Sequence, residues 1–177
     1  ALAKLAPFPG AILWDIGAGS GAVSIDFLRH APRGAAYAVD RDVAQIKRAM
    51  SNATFHGVGV LDDDPHAAGY HAIHVALPDA LADLPTPDAI FIGGGLSPEV
   101  IAHCQKHLRA GGVLVAHAVT LESEAILLSS WQATKGDLTR IAVNHADPVG
   151  GYHGWRALMP VTQWVWHKDV KTGENGT

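Results

Sequence analysis

The sequence has little of what marks secreted, membrane-spanning or nucleic-acid-binding chains. It contains one cysteine, Cys104, so no internal disulfide can form, and a reducing compartment is expected. Its apolar runs stay well below the roughly 18 residues that a membrane span needs. The formal net charge of −4 and the pI near 6.2 give no general attraction for nucleic acid or anionic lipid. We therefore expect a cytoplasmic protein whose partners include neither nucleic acid nor membrane.

The composition is that of one globular domain. The chain has 177 residues, of which 48% are hydrophobic and 17% are charged. We predict a single domain over residues 1–168 and a disordered polar tail over 169–177.

Segments with the periods of strands and helices alternate along most of the chain. Predicted strands cover 11–16, 35–40, 70–76, 89–94 and 113–119. Predicted helices cover 22–31, 43–55, 78–83, 97–112 and 121–136. Two last strands, 138–146 and 160–168, have only a glycine-rich loop between them, which favours an antiparallel pair. The pattern predicts an α/β fold with a seven-stranded, mainly parallel sheet and one reversed strand near its edge.

A glycine-rich segment follows the first predicted strand, in the stretch LWDIGAGSGAVSI (13–25). Gly17, Gly19 and Gly21 stand where a strand gives way to a helix, so that backbone can approach a ligand closely. NAD, FAD and S-adenosylmethionine all bind such loops, and the glycine spacing alone leaves the ligand open. Asp15 lies two positions before the first glycine, where its charge would repel a pyrophosphate and attract the ammonium group of a methionine moiety. The amino end of the following helix can hold the carboxylate of that moiety.

A second acid, Asp40, ends the second predicted strand. A carboxylate there can accept hydrogen bonds from both ribose hydroxyls, as acids do at this position in nucleotide-binding folds. Together with Asp15 and the glycines, it is typical of a Rossmann-like class I S-adenosylmethionine-dependent methyltransferase. Where the third predicted strand ends, Ala76 and Leu77 are the candidates for packing against adenine. The predicted cofactor residues are Asp15, Gly17, Ala18, Gly19, Gly21, Asp40, Ala76 and Leu77.

One helix carries a histidine pair with a spacing that can hold zinc. His103 and His107 stand four residues apart, with Cys104 beside the first. The sequence places no third ligand and has no HExxH pattern, so a solvated helix face is the favoured interpretation. We predict no metal site.

Three stretches of the second half resemble the decarboxylating precorrin methyltransferases of cobalamin biosynthesis. They are PDAIFIGGG (87–95), RAGGVLVAHAVTLES (109–123) and PVGGYHGWRALMPVTQW (148–164), and the resemblance runs from residue 1 to about residue 167. The same family forms the C-terminal half of a bifunctional precorrin-6Y methyltransferase. The resemblance implies methylation of C-15, the meso carbon between rings C and D of a precorrin, with loss of CO₂ from the ring C acetate. It also implies a homo-oligomer, with a tetramer as the expected form.

For such a substrate, the glycines at the end of the fourth strand are candidate contacts. Gly93, Gly94 and Gly95 have no side chains, so a large flat macrocycle could approach there, and a flexible strand-to-helix loop is the alternative interpretation. A precorrin meso carbon is electron-rich and can attack a sulfonium methyl without a strong base. The protein then needs mainly to hold donor and acceptor in line.

Decarboxylation needs a proton for the carbon that loses CO₂. His117, Thr120 and Glu122 follow the fifth strand and are the catalytic candidates for holding the acetate or relaying that proton. Glu122 also fits a helix first-turn acid, and His117 a buried, hydrogen-bonded histidine. Near the last strand, Tyr152 could line the macrocycle and Arg156 could bind one of its carboxylates.

Three other functions fit part of the pattern. A small-molecule O- or N-methyltransferase would need a base or metal triad near the acceptor, and the sequence shows none. A non-catalytic binding module could keep the fold without the chemistry. A nicotinamide oxidoreductase would use the same glycine loop.

Overall fold

A computed structural model describes residues 1–61, 64, 66–75, 81 and 83–170 of the chain. The helices are α1 (Leu2–Leu5), α2 (Ala22–His30), α3 (Val43–Phe55), α4 (Pro98–His107) and α5 (Leu121–Thr134). The strands are β1 (Ile12–Ile16), β2 (Ala35–Asp40), β3 (Gly69–His74), β4 (Ala89–Ile92), β5 (Val113–Ala118), β6 (Asp137–Ile141), β7 (Asn144–Val149), β8 (Tyr152–Ala157) and β9 (Val161–His167).

Seven of these strands form one sheet in the order β3-β2-β1-β4-β5-β9-β6. The strands β1 to β5 run parallel, whereas β9 is antiparallel to both of its neighbours, β5 and β6. The predicted mainly parallel sheet with one reversed strand near its edge is therefore confirmed. The strand order reverses between β1 and β4, and open α/β sheets bind ligands at the carboxyl ends of the strands beside such a switch point.

Helices cover both faces of the sheet, and the alternation of side chains along each strand divides the core accordingly. Leu13 belongs to a cluster that includes Phe27 of α2. Its neighbour Trp14 points to the opposite face, into a cluster that includes Ile101 of α4 and Leu127 of α5. Both strand residues are fully buried, and this double burial holds β1 at the centre of the molecule.

The segment between β6 and β9 differs from the prediction. Residues 138–146 were expected to form one strand followed by a glycine-rich loop, and this is wrong. The first strand ends at Ile141, and β7 and β8 form a separate antiparallel hairpin that turns through Gly150 and Gly151. The pair Gly-Gly between two alternating segments is a signal for a two-residue hairpin turn, and it favours this outcome.

Other boundaries shift by a few residues. The third strand ends at His74 rather than at residue 76, and α1 lies in a segment for which no helix was predicted. The helix expected over 78–83 lies mostly outside the described residues, as do positions 171–177 of the expected tail. Among the described helices, none has the length and apolar character to cross a membrane.

Candidate functional site

The glycine loop connects β1 to α2 at the switch point. Gly17, Gly19 and Gly21 all have positive φ angles, of 67°, 54° and 76°, which are conformations that glycine adopts without strain. The loop is tied to β2 because the N–H groups of Gly17 and Ala18 both donate to the Val39 carbonyl, at 2.9 and 3.1 Å. The turn therefore needs glycine for its backbone conformation, and the absence of side chains would also let a ligand approach the backbone closely.

Gly17 also meets a second glycine segment, the one that ends β4. A Cβ atom at Gly17 would lie 2.6 Å from the N, Cα and O atoms of Gly94, much closer than real contacts allow. Gly93 and Gly94 both donate to the Ile16 carbonyl, at 2.8 and 3.3 Å, which keeps the two loops together. The glycine loop and the glycines that follow β4 therefore form one packed unit.

A cavity of about 370 Å³ opens beside this unit. Its volume lies within the range of about 300–1,000 Å³ that is usual for small-molecule sites. The residues that line it come from the carboxyl ends of β1, β2 and β4 and from the start of α4: Gly17, Val39, Asp40, Arg41, Gly94, Gly95, Ser97 and Val100. Four of the predicted site residues, Gly17, Asp40, Gly94 and Gly95, are thus brought together in one wall.

Asp40 connects the cavity to the glycine loop. Its Oδ2 accepts a hydrogen bond from the Gly19 N–H at 3.0 Å, and its Oδ1 accepts one from the Asp42 N–H at 3.0 Å. A carboxylate oxygen can accept more than one hydrogen bond, so both oxygens keep acceptor capacity on the cavity side. Asp40 can therefore hold the loop and accept hydrogen bonds from a ligand at the same time.

Asp15 is placed behind the loop. It is 1% exposed, and it is not among the described residues that line the cavity. Its Oδ2 accepts hydrogen bonds from the Ser24 hydroxyl at 2.6 Å and the Ser24 N–H at 3.2 Å, in the first turn of α2. Because the N-cap residue Gly21 has no side chain, Asp15 supplies the cap of α2 from the neighbouring strand. Burial, more than any other cause, raises the pKa of Asp15 from 3.8 to about 6.

This raised pKa predicts a pH-dependent stability that Asp15→Asn removes. Between about pH 4 and pH 6 the folded chain keeps a proton on Asp15 that the unfolded chain has lost, so this group's contribution to stability falls as the pH rises. A rise of about two units corresponds to roughly 3 kcal/mol at pH 7, as an upper limit. We expect urea unfolding to show the Asn variant gaining stability relative to the parent between pH 4.5 and pH 7. Asp26→Asn, at an exposed position of α2, is the control, and an equal gain there would contradict the assignment.

The predicted catalytic residues lie at the carboxyl end of β5 and the start of α5. His117 is half-buried, its Nε2 lies 3.0 Å from Gln163 Oε1 of β9, and its ring meets the edge of Phe91 at 5.0 Å between centroids. Burial lowers the pKa of His117 below 6.5. Thr120 is the N-cap of α5, where its Oγ1 accepts from the Ser123 N–H at 3.2 Å, and Glu122 is exposed in the first turn.

The two residues predicted near the last strand lie on the hairpin. Tyr152 is among the most exposed large side chains of the described chain, as is Trp155 on the same strand. Arg156 forms an ion pair with Asp147 on the facing strand β7. None of these residues lines the cavity beside the glycine loop. Of the predicted substrate residues, Gly94 and Gly95 therefore line the cavity, Tyr152 and Arg156 lie on the hairpin, and Gly93 is not among the described lining residues.

The remaining predictions concern adenine and metal. Ala76 and Leu77 lie outside the described residues. His103 and His107 stack on each other at 4.1 Å between ring centroids and pack against Trp14, with Cys104 buried beside them. They are half-buried, so the expected solvated helix face is wrong. Within the described ranges, no three His, Cys, Asp or Glu side chains are grouped so that they could hold a metal ion.

The sequence analysis missed four of the residues that line the cavity, which are Val39, Arg41, Ser97 and Val100, and two of these carry polar side chains. Arg41 directly follows Asp40, so its place in the wall could have been inferred from the strand end. Ser97 has the sequence signal of a helix N-cap, and its Oγ accepts from the Val100 N–H at 3.2 Å. Since the helix after β4 starts at the switch point, its cap residue faces the ligand site as well.

Comparison with known proteins identifies relatives over more than nine-tenths of the chain. Residues 1–168 match a family model described as a precorrin methyltransferase domain. The chain is 42% identical over 168 residues to a precorrin-6Y C(5,15)-methyltransferase [decarboxylating] from Sinorhizobium sp, which covers 94% of this chain and 38% of that protein. This chain therefore spans well under half the length of that relative. It is 32% identical over 165 residues to a probable cobalt-precorrin-6B C(15)-methyltransferase (decarboxylating) from Pyrobaculum calidifontis, covering 91% of this chain and 80% of the relative.

The fold is shared with solved structures as well. The C-terminal domain of precorrin-6Y C5,15-methyltransferase from Rhodobacter capsulatus superposes with a TM-score of 0.82 at 38% identity, covering 94% of this chain and 85% of that domain.

Proposed function

Because the chain belongs to the precorrin methyltransferase domain family, we propose that it is an S-adenosylmethionine-dependent C-methyltransferase of cobalamin biosynthesis. Its substrate is a precorrin, which it methylates at C-15 while the ring C acetate loses CO₂. The observation that carries the proposal is the cavity in which Gly17, Asp40 and Gly94 meet at the switch point of the sheet. The names of the relatives support a precorrin as the methyl acceptor. The residues that line the cavity support S-adenosylmethionine as the methyl donor.

The residues of the cavity fit S-adenosylmethionine. Asp40 presents a carboxylate at the carboxyl end of β2, where it can accept from the two ribose hydroxyls. The close approach of Gly17 and Gly94 leaves backbone rather than side chains in the wall, so a ligand can lie directly on the loop. Asp15 is buried next to that loop, where its negative charge would favour the ammonium group of the methionine moiety when the cofactor is bound. When bound, S-adenosylmethionine would supply an electrophilic methyl group.

For methyl transfer, the residues act by placement. Gly94 and Gly95, which follow β4, line the cavity without side chains, and this favours the approach of a flat acceptor there. Alignment of the reacting carbon with the methyl is then the main contribution of the protein, since no base is needed to activate an electron-rich meso carbon. Arg41 in the wall and Arg156 on the hairpin are the cations proposed to meet the substrate's carboxylates.

For decarboxylation, the end of β5 is the proposed relay. When the bond to the carboxylate breaks, its electron pair passes into the conjugated macrocycle, CO₂ leaves, and the carbon takes up a proton. The lowered pKa leaves His117 neutral at pH 7. Its Nε2 donates to Gln163 Oε1, which orients the ring so that Nδ1 can take up and release a proton. The Thr120 hydroxyl is proposed to donate to the acetate beside it, and Glu122 is proposed to take part in the proton relay.

Replacing His117 tests this relay. We expect His117→Ala to slow CO₂ loss by about 100-fold, a typical contribution of a positioned proton-transfer group, while methyl transfer changes much less. Mass spectrometry of the product would then show a methylated species that still carries the carboxylate. His107→Ala, which removes a histidine stacked against Trp14, is the matched control. Loss of methyl transfer and CO₂ release in parallel would contradict a separate role for His117.

The function itself is tested by incubating the chain with S-adenosylmethionine and a precorrin that still carries the ring C acetate. Mass spectrometry should show the gain of one methyl group and the loss of one CO₂ per turnover. An unchanged precorrin, with the donor bound, would reject the acceptor and favour a small-molecule methyltransferase. Calorimetry with S-adenosylhomocysteine and NADH distinguishes a methyltransferase from a nicotinamide oxidoreductase, because tight binding of NADH alone would indicate an oxidoreductase.

We further propose that the hairpin β7–β8 joins copies of this chain into the homo-oligomer implied by the family. Val149, Tyr152 and Trp155 expose apolar surface on it, and in the described chain its strands pair only with each other. An exposed apolar ribbon with unpaired edges favours association.

The change Tyr152→Ser with Trp155→Ser is expected to lower the mass measured by light scattering to that of a smaller assembly, because it removes most of this apolar surface. Phe55→Ser, at an equally exposed position on α3, is the control and should leave the mass unchanged. A parent chain that is already monomeric, or a double variant with an unchanged mass, would contradict the assembly.

A further inference from the structure

Two buried polar atoms lie beneath the glycine loop without a direct partner. Within the described part of the chain, neither Asp15 Oδ1 nor the hydroxyl of Tyr70 has a hydrogen-bond partner. Both side chains are almost completely buried, at 1% and 0% exposure. Buried polar atoms are nearly always satisfied, by protein or by an ordered water, so this pair calls for a bridging group.

The two atoms lie on the same face of the sheet and near the same turn. Asp15 of β1 stands opposite Ala38 of β2, and Tyr70 of β3 stands opposite Ala36. Only alanines of β2 therefore separate the two side chains on this face, and their small size lets the tyrosine ring reach toward the loop. A Cβ atom at Gly21, the residue that begins α2, would lie 2.5 Å from the Tyr70 hydroxyl.

The Asp15 carboxylate and the Tyr70 hydroxyl interact electrostatically. Burial and the charge of Asp15 both raise the pKa of Tyr70, so its hydroxyl keeps its proton and can donate. The charge of Asp40 adds to burial in raising the pKa of Asp15. Ser24 satisfies only Oδ2 of Asp15, so the carboxylate has an oxygen left for a further donor.

We propose that Tyr70 is a positioning residue of the glycine loop, which acts on Asp15 through one buried water molecule. The water accepts from the Tyr70 hydroxyl and donates to Asp15 Oδ1, which supports the ionised carboxylate that caps α2. Because Asp15 fixes the first turn of α2, the Tyr70 hydroxyl helps to hold the glycine loop in the conformation that would bind the methyl donor. The consequence for donor binding rests on the proposed function, whereas the hydrogen-bond chain itself does not.

Carbon-13 NMR of the aspartate carboxyl groups tests the chain without any ligand. The Asp15 signal is assigned by its loss in Asp15→Asn, and its titration is then compared between the parent and Tyr70→Phe. We expect the midpoint to rise by about half to one pH unit in Tyr70→Phe, since the ionised form loses a hydrogen bond. Tyr37→Phe removes a hydroxyl from a buried tyrosine stacked on His71 and is expected to leave the midpoint unchanged. No rise in Tyr70→Phe, or an equal rise in both variants, overturns the proposal.

Two further measurements complete the test. A high-resolution crystal structure of the unmodified chain should show density for a water within hydrogen-bond distance of both atoms, and its absence overturns the bridge even if Tyr70→Phe does not fold. Calorimetry with S-adenosylhomocysteine should show about fivefold weaker binding for Tyr70→Phe and none of this effect for Tyr37→Phe, as one weak hydrogen bond implies. Unchanged affinity overturns the positioning role. A parent chain that binds no S-adenosylhomocysteine, but whose Asp15 responds to Tyr70→Phe, rejects the proposed function and leaves the bridge standing.

Discussion

Gly17→Ala is expected to weaken binding of S-adenosylhomocysteine by at least about 100-fold and to lower stability by about 2–4 kcal/mol. The added methyl group would lie 2.6 Å from three backbone atoms of Gly94, which cannot rotate away as a flexible side chain could. The φ angle of 67° adds the strain that any residue with a Cβ meets in the left-handed region. Relief requires the two loops to separate, and both of them line the cavity.

The strain and the contact can be separated with a second glycine. Gly10 has a φ of 81°, and a Cβ atom there would have no atom within 4 Å, so Gly10→Ala carries the backbone strain without the clash. It precedes β1, at the opposite end of that strand from the glycine loop. Titration calorimetry and urea unfolding of both variants give the comparison. Binding by Gly17→Ala within about threefold of the Gly10→Ala value would mean that the close approach of the two loops does not shape the site.

The second large effect is expected for Asp40→Ala, which should weaken S-adenosylhomocysteine binding by about 100-fold or more. A hydrogen bond to a charged acceptor is worth about 1.5–3 kcal/mol, and the ribose would lose two of them. The change also releases the Gly19 and Asp42 N–H groups that the carboxylate holds in the free chain. Asp40→Asn keeps one acceptor oxygen, so we expect an intermediate loss.

The adjacent acid provides the control for this change. Asp42 is the N-cap of α3, and its Oδ1 accepts from the Ala44 N–H at 2.8 Å. Asp42→Ala should cost about 1 kcal/mol of stability, as loss of a cap does, and leave the affinity unchanged. If both alanine variants weaken binding equally, the loss reflects the start of α3, and the assignment of Asp40 to the ribose fails.

The meeting of Gly17 and Asp40 in one cavity was predictable because it depends on local geometry. A turn from a strand into a helix needs glycine at given positions, and the end of the next parallel strand is necessarily beside it, so Gly17 and Asp40 could be placed together from spacing alone. The position of Asp15 behind the loop could not be predicted, since it depends on the Ser24 hydroxyl turning toward β1. The sequence pattern shows an acid before the loop, whereas only packing decides which way its side chain faces.

Residues far apart in the sequence explain most of what was missed. Gln163, the partner of His117, lies 46 residues away, and the antiparallel register of β5 and β9 that joins them cannot be read from either strand. The hairpin β7–β8 is different, because its Gly150–Gly151 turn was visible. The glycines between the last two predicted strands favoured a loop there, and the structure shows that a two-stranded ribbon accommodates both them and Pro148.

The strand order of the sheet also determines when the protein can finish folding. The strand β9 lies between β5 and β6, which do not pair with each other in the described sheet. During synthesis both strands emerge from the ribosome before β9, so the edge of β5 stays open until residue 167 has left the exit tunnel. Closing the sheet therefore depends on the last segment of the domain to be translated, and a nascent chain that pauses before it presents an unpaired apolar edge to chaperones and to other nascent chains.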